Sequence, residues 1–235
     1  LHWMVHSFPT RRSSDLYTAW LGNQNPTKTY RFFVGECDTV FVNKPQLSDY
    51  SVLKKMDSDL LEPFFGLMEQ KRPRMLVNLH FIGNHWWYNS NYPDTFAIFK
   101  PIMHSKVISE ENREMMINSY DNATLFSDYL LDIIIGKIEQ ENSLLIFLAD
   151  HGQSFGEQGK WLHTNNTPTE QNPAGFIWLS QSFREKYPEK VESLMSNRSK
   201  TINTSFLFHT ILHGAAIHSP YLDVRQSLFS PDYQP

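Results

Sequence analysis

Asp150, His151 and Gly152 follow the apolar run 143–149 (SLLIFLA), and the side chains of Asp150 and His151 could bind a metal ion. A carboxylate and an imidazole at a buried strand end are costly unless they are paired, hydrogen-bonded or metal-bound. Asp and His are both good zinc ligands. We expect Gly152 to let the chain turn sharply beneath a bulky ion. This tripeptide alone is weak support for a metal site, because a histidine at a strand end is more often structural.

More histidines lie at positions that the fold could bring to the same place. His80 and His85 stand at the end of the apolar run 74–82 (RMLVNLHFI), and His163 lies twelve residues beyond His151, across a loop rich in glycine, asparagine and threonine. Ligands of open α/β sheets bind beyond the carboxyl ends of the strands. The sequence therefore predicts one shared site, although His80 could equally face the core.

Other chemically suggestive residues have simpler interpretations. The aromatic stretch 86–88 (WWY) could line a substrate pocket, but aromatic loop residues usually just cover a core. Four other histidines do not lie at the end of a predicted strand in a comparable setting and are interpreted as structural: His104, His209, His213 and His218.

Apolar patterning predicts an α/β fold with a mostly parallel sheet and helices on both faces. Short or continuous apolar runs predict strands, and apolar residues at helical spacing predict helices. The predicted strands are 17–21, 39–42, 74–82, 143–149 and 175–179, and the predicted helices are 57–70, 110–140, 183–196 and 204–216.

Length and charge exclude several classes of protein. The chain has 235 residues, which suits one α/β domain, and a formal net charge of 21 − 25 = −4. That balance gives no electrostatic reason to expect nucleic-acid binding. No run of about 18 apolar residues exists, so the sequence predicts no membrane span. The single cysteine, Cys37, cannot form an internal disulfide.

The first sixteen residues are predicted to be foreign to the fold. Residues 6–16 (HSFPTRRSSDL) match, in one reading frame, the translation of a common short-read sequencing adapter. We therefore divide the chain into an adapter-derived segment, 1–16, and a partial catalytic domain, 17–235. On this interpretation the natural protein continues upstream of Tyr17.

Several motifs, taken in order, resemble the bacterial phosphoethanolamine transferases of the alkaline phosphatase and sulfatase superfamily. The most specific is 148–163 (LADHGQSFGEQGKWLH), which has Asp-His-Gly, Ser-x-Gly-Glu and Leu-His at the family's spacing. The other similar segments are 17–24 (YTAWLGNQ), 79–93 (LHFIGNHWWYNSNYP), 118–131 (NSYDNATLFSDYLL) and 203–223 (NTSFLFHTILHGAAIHSPYLD).

The resemblance implies roles for the predicted site residues. Asp150 and His151 would bind a catalytic Zn²⁺, and His85 and His163 would contact the transferred phosphate or an additional zinc, with His80 a further member of that set. Members of the family move phosphoethanolamine from phosphatidylethanolamine to lipid A or another envelope glycan through a covalent threonine intermediate. Such proteins are anchored in the bacterial inner membrane with the catalytic domain in the periplasm.

The sequence departs from the family pattern at the site. The threonine nucleophile and a zinc-binding glutamate would lie upstream of segment 17–24, so both would be missing here, and Thr18 is no replacement because it belongs to the following strand. Gln153 replaces a usual glutamate and Thr164 a usual glycine, while His-Trp-Trp at 85–87 replaces His-Gly-Pro. By itself the chain is expected to have no transferase activity and to bind zinc weakly.

Two alternatives stay open on the sequence. One is a hydrolase of the same superfamily, a sulfatase or a phosphodiesterase. The other is a fragment that binds a ligand without turnover.

Overall fold

The computed structural model describes residues 16–24, 31–43 and 56–235, so most of segment 1–16 lies outside the described residues. The strands, in chain order, are β1 Tyr17–Gly22, β2 Thr39–Val42, β3 Met75–His80, β4 Leu144–Leu148, β5 Ser154–Phe155, β6 Trp161–Leu162 and β7 Gly175–Leu179. The helices are α1 Arg31–Glu36, α2 Leu61–Glu69, α3 Arg113–Ile138, α4 Gln181–Lys186, α5 Pro188–Asn197 and α6 Phe206–Gly214. Short 3-10 turns cover Asp57–Leu60, Tyr88–Ser90, Asp94–Phe96, Glu110–Asn112, Glu157–Gly159 and Val224–Gln226.

The predicted parallel sheet is confirmed for the first three strands. Strand β1 lies in the middle and pairs in parallel with β2 on one side and β3 on the other. Its later residues are buried, with Leu21 fully inaccessible. The register sets Gly22 opposite His80. This pairing places the histidine at the carboxyl edge of the sheet, where the sequence predicted the site.

Strand β4 has an environment that its apolar sequence does not predict. Its described neighbour is β7. The amide of Ala149 donates to the carbonyl of Ala174 at 2.9 Å, and the amide of Ser180 donates to that of Ser143 at 3.0 Å. The two strands are therefore antiparallel, and all residues of β4 are only half-buried. A continuous apolar run is typical of a strand covered on both faces, but it does not specify the direction of its neighbour.

One predicted helix and one predicted loop need local correction. The pattern at 183–196 predicted one helix, and the structure has α4 and α5 with Tyr187 between them at φ −132°. Pro188 begins α5, and a proline disfavours helical geometry in the residue before it, so the first helix must end there. The loop predicted at 152–173 contains the antiparallel hairpin β5–β6, whose two-residue strands are too short to give a pattern.

The chain divides into two compact units, each with its own core. The larger comprises 17–137 and 146–177, and the smaller includes 138–145 and 178–235. In the larger unit, buried side chains of α3 pack with the loop that follows β3, and the cluster consists of Tyr88, Tyr92, Met103, Met116, Ala123, Phe126 and Leu130. In the smaller unit the buried residues include Phe183, Phe206, Leu212, Ile217 and Phe229. None of the helices in the described ranges combines the length and apolar character that a membrane crossing requires.

Candidate functional site

The rings of His151 and His163 stack in the larger unit. Their centroids lie 4.1 Å apart and their planes differ by 26°. His151 follows strand β4, and His163 follows β6, the second strand of the small hairpin. The hairpin therefore folds back and brings together two histidines that are twelve residues apart in the chain. This proximity agrees with the sequence prediction.

Two of the site histidines have the same ring orientation and the same tautomer. Nδ1 of His151 lies 2.8 Å from the carbonyl oxygen of Gly152, and Nδ1 of His85 lies 2.6 Å from that of Trp86. A carbonyl oxygen can only accept, so each Nδ1 carries the hydrogen. The Nε2 lone pair of each neutral ring is then available for a ligand. Metal-binding histidines are usually fixed in this way by a hydrogen bond to the other ring nitrogen.

Asp150 and His151 point toward a common space. Oδ1 of Asp150 lies 3.7 Å from Nε2 of His151. Two such ligands on one tetrahedral zinc would lie about 3.4 Å apart, given metal–ligand bonds of about 2.0–2.2 Å. The pair therefore fits zinc with a small adjustment. The Asp150 side chain is 87% exposed, so the cost of burying its charge, which the sequence argument invoked, does not apply here.

His80 lies beside the same carboxylate but is partly a core residue. Burial lowers its pKa, while the nearby negative charge of Asp150 acts in the opposite direction. Its ring also packs edge-on against Trp20, with centroids 5.3 Å apart. His80 therefore interacts with a predicted site residue and also packs in the core, the two positions that the sequence left open.

The pKa of His163 is shifted by burial and by neighbouring charged groups. Burial lowers it first, and the positive charges that His151 and His85 carry when protonated lower it further. Asp150 and Glu170 partly oppose this shift. The charge of Asp150 thus acts on both His163 and His80, and His163 is also influenced by His151 and His85. Across the described ranges, however, no three His, Cys, Asp or Glu side chains converge closely enough to hold a metal ion together.

Gly152 has a different role from the one that its sequence position suggested. Its backbone is not among the described glycines with positive φ, so it makes no turn that only glycine allows. A Cβ atom at this position would lie 2.0 Å from the carbonyl oxygen of Thr169. The glycine is needed because two backbone segments approach closely, and sequence spacing cannot reveal such an approach.

Asp57 anchors the turn between His80 and His85 and was missed by sequence analysis. Its carboxylate accepts the amides of Ile82 and Gly83, each at 2.8 Å, and the side-chain amide of Asn23 at 2.9 Å. The residue is only 2% exposed. Burial raises its pKa, and these hydrogen bonds act to lower it. Its place before a helical pattern suggested only an ordinary helix start.

Gln153 links the Asp-His-Gly turn to the aromatic stretch 86–88. Its side-chain amide donates to the hydroxyl of Tyr88. Tyr88 is fully buried in the core of the larger unit, and burial raises its pKa. For Tyr88, therefore, the interpretation as core cover is correct.

Comparison with known proteins identifies a family and a set of relatives. The family model named Sulfatase matches residues 13–217. The phosphoethanolamine transferase EptA of Helicobacter pylori is 33% identical over 172 residues, which cover 67% of this chain and 32% of that protein. The Kdo(2)-lipid A phosphoethanolamine 7''-transferase of Escherichia coli K12 is 32% identical over 116 residues, 47% of this chain and 20% of that protein. The chain spans about a third of the length of the EptA relatives that it matches.

A solved structure has the same fold. The C-terminal periplasmic domain of EptC from Escherichia coli, in complex with zinc, superimposes with a TM-score of 0.72 at 20% sequence identity. The match covers 93% of this chain and 64% of that one. At this identity the likeness shows the fold, and it agrees with the alkaline phosphatase and sulfatase-like α/β architecture expected from the motifs.

Proposed function

Because the chain belongs to the sulfatase family, we propose that it is the catalytic part of a zinc-dependent phosphoethanolamine transferase. The observation that carries the proposal is the stacked pair His151 and His163 beside Asp150, just after strands β4 and β6. Relatives named phosphoethanolamine transferases support the choice of a transferase over a hydrolase.

The site residues divide into a metal pair and a phosphate-binding set. Asp150 and His151 would hold the zinc through the carboxylate and Nε2. When bound, zinc would lower the pKa of an attacking hydroxyl and offset the charge of the transferred phosphate. His85 and His163 would contact the phosphate oxygens or an additional zinc, with His80 a further member of that set. With its Nδ1 hydrogen donated to the carbonyl of Trp86, His85 would offer its Nε2 lone pair to an additional zinc, and it would donate from Nε2 to a phosphate oxygen only as the doubly protonated ring.

The proposed reaction has two group transfers. A threonine oxygen attacks the phosphorus of phosphatidylethanolamine, its hydroxyl proton is lost, and the diacylglycerol oxygen leaves and takes up a proton. An oxygen of lipid A or another envelope glycan then attacks the same phosphorus, and the bond to threonine breaks. We propose that the threonine belongs to a preceding part of a longer protein. That protein would be anchored in the inner membrane, with this domain in the periplasm.

The first experiment measures zinc binding by isothermal titration calorimetry on the 235-residue chain. We expect weak binding that the double variant Asp150→Ala, His151→Ala abolishes, because both predicted ligands are then gone. The matched control is His104→Ala, His218→Ala, which removes two exposed histidines outside the site. Zinc affinity that survives in the double variant would overturn the assignment, and nanomolar affinity in the wild-type chain would contradict the expected incomplete site.

The second experiment tests the reaction in the longer protein. Its gene would be recovered by long-read sequencing upstream of the Tyr17 codon and expressed in a bacterium whose lipid A lacks phosphoethanolamine. Mass spectrometry of lipid A and of the other envelope glycans should show the added group. Hydrolysis of sulfate esters or phosphodiesters without transfer would favour the hydrolase instead.

A further inference from the structure

Glu170 carries a buried carboxylate that the proposed reaction does not use. The residue is 7% exposed. Its Oε1 accepts the hydroxyl of Ser154 at 2.7 Å and the side-chain amide of Asn165 at 3.0 Å. Its Oε2 accepts the backbone amides of Asn165 at 2.8 Å and Asn166 at 3.0 Å. No ion pair joins it to a described Lys, Arg or His, so hydrogen bonds alone compensate for its burial.

The segment bonded to this carboxylate has an unfavourable backbone. Leu162, Thr164 and Asn166 have φ values of 62°, 79° and 58°. Such angles are unfavourable for residues other than glycine, less so for asparagine, and they persist where the surroundings over-determine them. Two successive amides that point at one anion form a nest, a common backbone device for binding negative charge. Here the anion is the chain's own Glu170.

The strained residues enclose His163. It lies between Leu162 and Thr164, two residues before the first of the two amides that bind Glu170. Without the carboxylate, nothing else described at this turn satisfies those two amides, and the chain would be expected to relax. The direction of the His163 ring depends on that turn.

Glu170 also contacts the segment that carries His151. Its backbone carbonyl accepts the amide of Gly152 at 2.8 Å, and its Oε1 bonds Ser154, three residues after His151. A single residue therefore connects the strand end that bears one histidine to the turn that bears the other. The two histidine rings that it connects stack with their centroids 4.1 Å apart.

We infer that Glu170 is a positioning residue that sets the His163 ring against His151 through the hydrogen bonds of its buried carboxylate. This inference rests on the proposed function for its catalytic meaning, because the two rings belong to the proposed metal and phosphate site. The geometric part can be tested without metal.

The test compares Glu170→Gln with Glu157→Gln in the 235-residue chain. Glutamine keeps the shape of the side chain but turns one acceptor oxygen into a donor that faces the amides. Glu157 is the matched control because its carboxylate lies in the same hairpin region and is 46% exposed. The first measurement is the nuclear Overhauser effect between ring protons of His151 and His163, with histidines isotopically labelled and no metal present. The second is zinc affinity by calorimetry.

We expect Glu170→Gln to lose the inter-ring effect and to weaken zinc binding about tenfold or more, as is usual for groups that orient metal ligands. Glu157→Gln should keep both. An inter-ring effect that persists in Glu170→Gln would overturn the inference. If the wild-type chain shows the effect, binds no zinc, and loses the effect in Glu170→Gln, the positioning role stands and the proposed function fails.

Folding is monitored through the dispersion of the amide spectrum. Should Glu170→Gln fail to fold, Ser154→Ala removes a single hydrogen bond from the carboxylate and leaves the charge in place. That variant is expected to weaken the inter-ring effect, and full retention of it would count against the role.

Discussion

At the scale of single residues, the site is defined by how each imidazole is held. His85 and His151 each donate Nδ1–H to the carbonyl of the residue that follows. Both rings are therefore fixed by their own local backbone, which leaves Nε2 as the nitrogen that can bind a ligand. Sequence could name these histidines but not their tautomers, because the tautomer depends on which carbonyl lies within reach.

Gly152 offers a direct test of the close backbone approach at the site. We predict that Gly152→Ala lowers the free energy of unfolding by about 1–3 kcal/mol, the usual cost of forcing extra atoms into a packed region. The added Cβ would meet the Thr169 carbonyl oxygen, which must shift, and the bond from Gly152 to Glu170 would shift with it. Urea denaturation followed by tryptophan fluorescence measures the change.

The control for this prediction is Gly136→Ala on the exposed side of α3. A Cβ there meets nothing within 4 Å. It should therefore raise stability by about 0.5–1 kcal/mol, through the better helix propensity of alanine. A Gly152→Ala variant as stable as the wild type would refute the close approach.

At the scale of elements, each histidine-bearing turn is held by a buried carboxylate from elsewhere in the sequence. Asp57 binds the turn after β3, and Glu170 binds the turn after β6. Neither acid lies in the same turn as the histidines that it supports. Strand ends bring the histidines near one another, and the carboxylates fix the turns that orient them.

Asp57→Asn is predicted to destabilise the turn between His80 and His85. An amide nitrogen in place of one oxygen would face a donor, Gly83 or Ile82, and leave it unsatisfied at a cost of about 1–3 kcal/mol. Thermal unfolding and zinc calorimetry would both register the loss. Asp59→Asn is the matched control, because Asp59 lies two residues away and is exposed. Equal melting temperatures for the two variants would contradict the anchoring role.

The pH dependence of stability should reveal Glu170. Burial acts to raise its pKa, but the hydrogen bonds from Ser154 and Asn165 dominate and lower it from 4.5 to about 2. A carboxyl group whose pKa is lower in the folded than in the unfolded state stabilises the fold at pH values above its unfolded-state pKa. That contribution is lost as the pH falls toward the folded-state pKa. The wild-type chain should therefore lose stability between pH 4.5 and about 2 more steeply than Glu170→Gln does.

Urea midpoints measured across this acid range check the prediction. Glu157→Gln should keep the wild-type slope. Parallel plots of urea midpoint against pH for wild type and Glu170→Gln would show that the pKa of the Glu170 carboxyl is not lowered.

At the scale of the whole molecule, the long apolar strands β3 and β4 each have a single described neighbour. Strand β3 stands at the edge of the sheet β2–β1–β3, and β4 pairs with β7 alone within the described ranges. Both are half-buried, although their sequences are as apolar as those of central strands. Exposed apolar strand edges promote association between chains. This arrangement agrees with the proposal that a longer protein covers them.

We therefore predict that the 235-residue chain self-associates as its concentration rises, and that Asn78→Lys reduces this association. Asn78 is the exposed residue of β3, and an edge lysine opposes strand pairing between chains. Analytical ultracentrifugation measures the effect. Asn142→Lys, which adds the same charge at an exposed position between α3 and β4, should leave association unchanged. A monomeric chain with a cooperative melt would refute the prediction.

The sequence by itself predicted most of the longer elements and the candidate site residues. Apolar periodicity located most of the longer strands and helices to within a few residues, since that signal is local. The ordered motifs indicated the family, and residue types marked Asp150 and four histidines. Motif spacing also implied that they share one site, because strand ends meet at one edge of a sheet.

Only the tertiary structure decided how those residues are held. Contacts between distant segments decide three features. These are the direction of β7 against β4, the approach of Thr169 to Gly152, and the anchoring of the histidine turns by Asp57 and Glu170. No local pattern encodes such contacts, because a buried carboxylate and a solvated one have the same letter in the sequence. Their roles emerge only when folding removes water and leaves particular amides within reach.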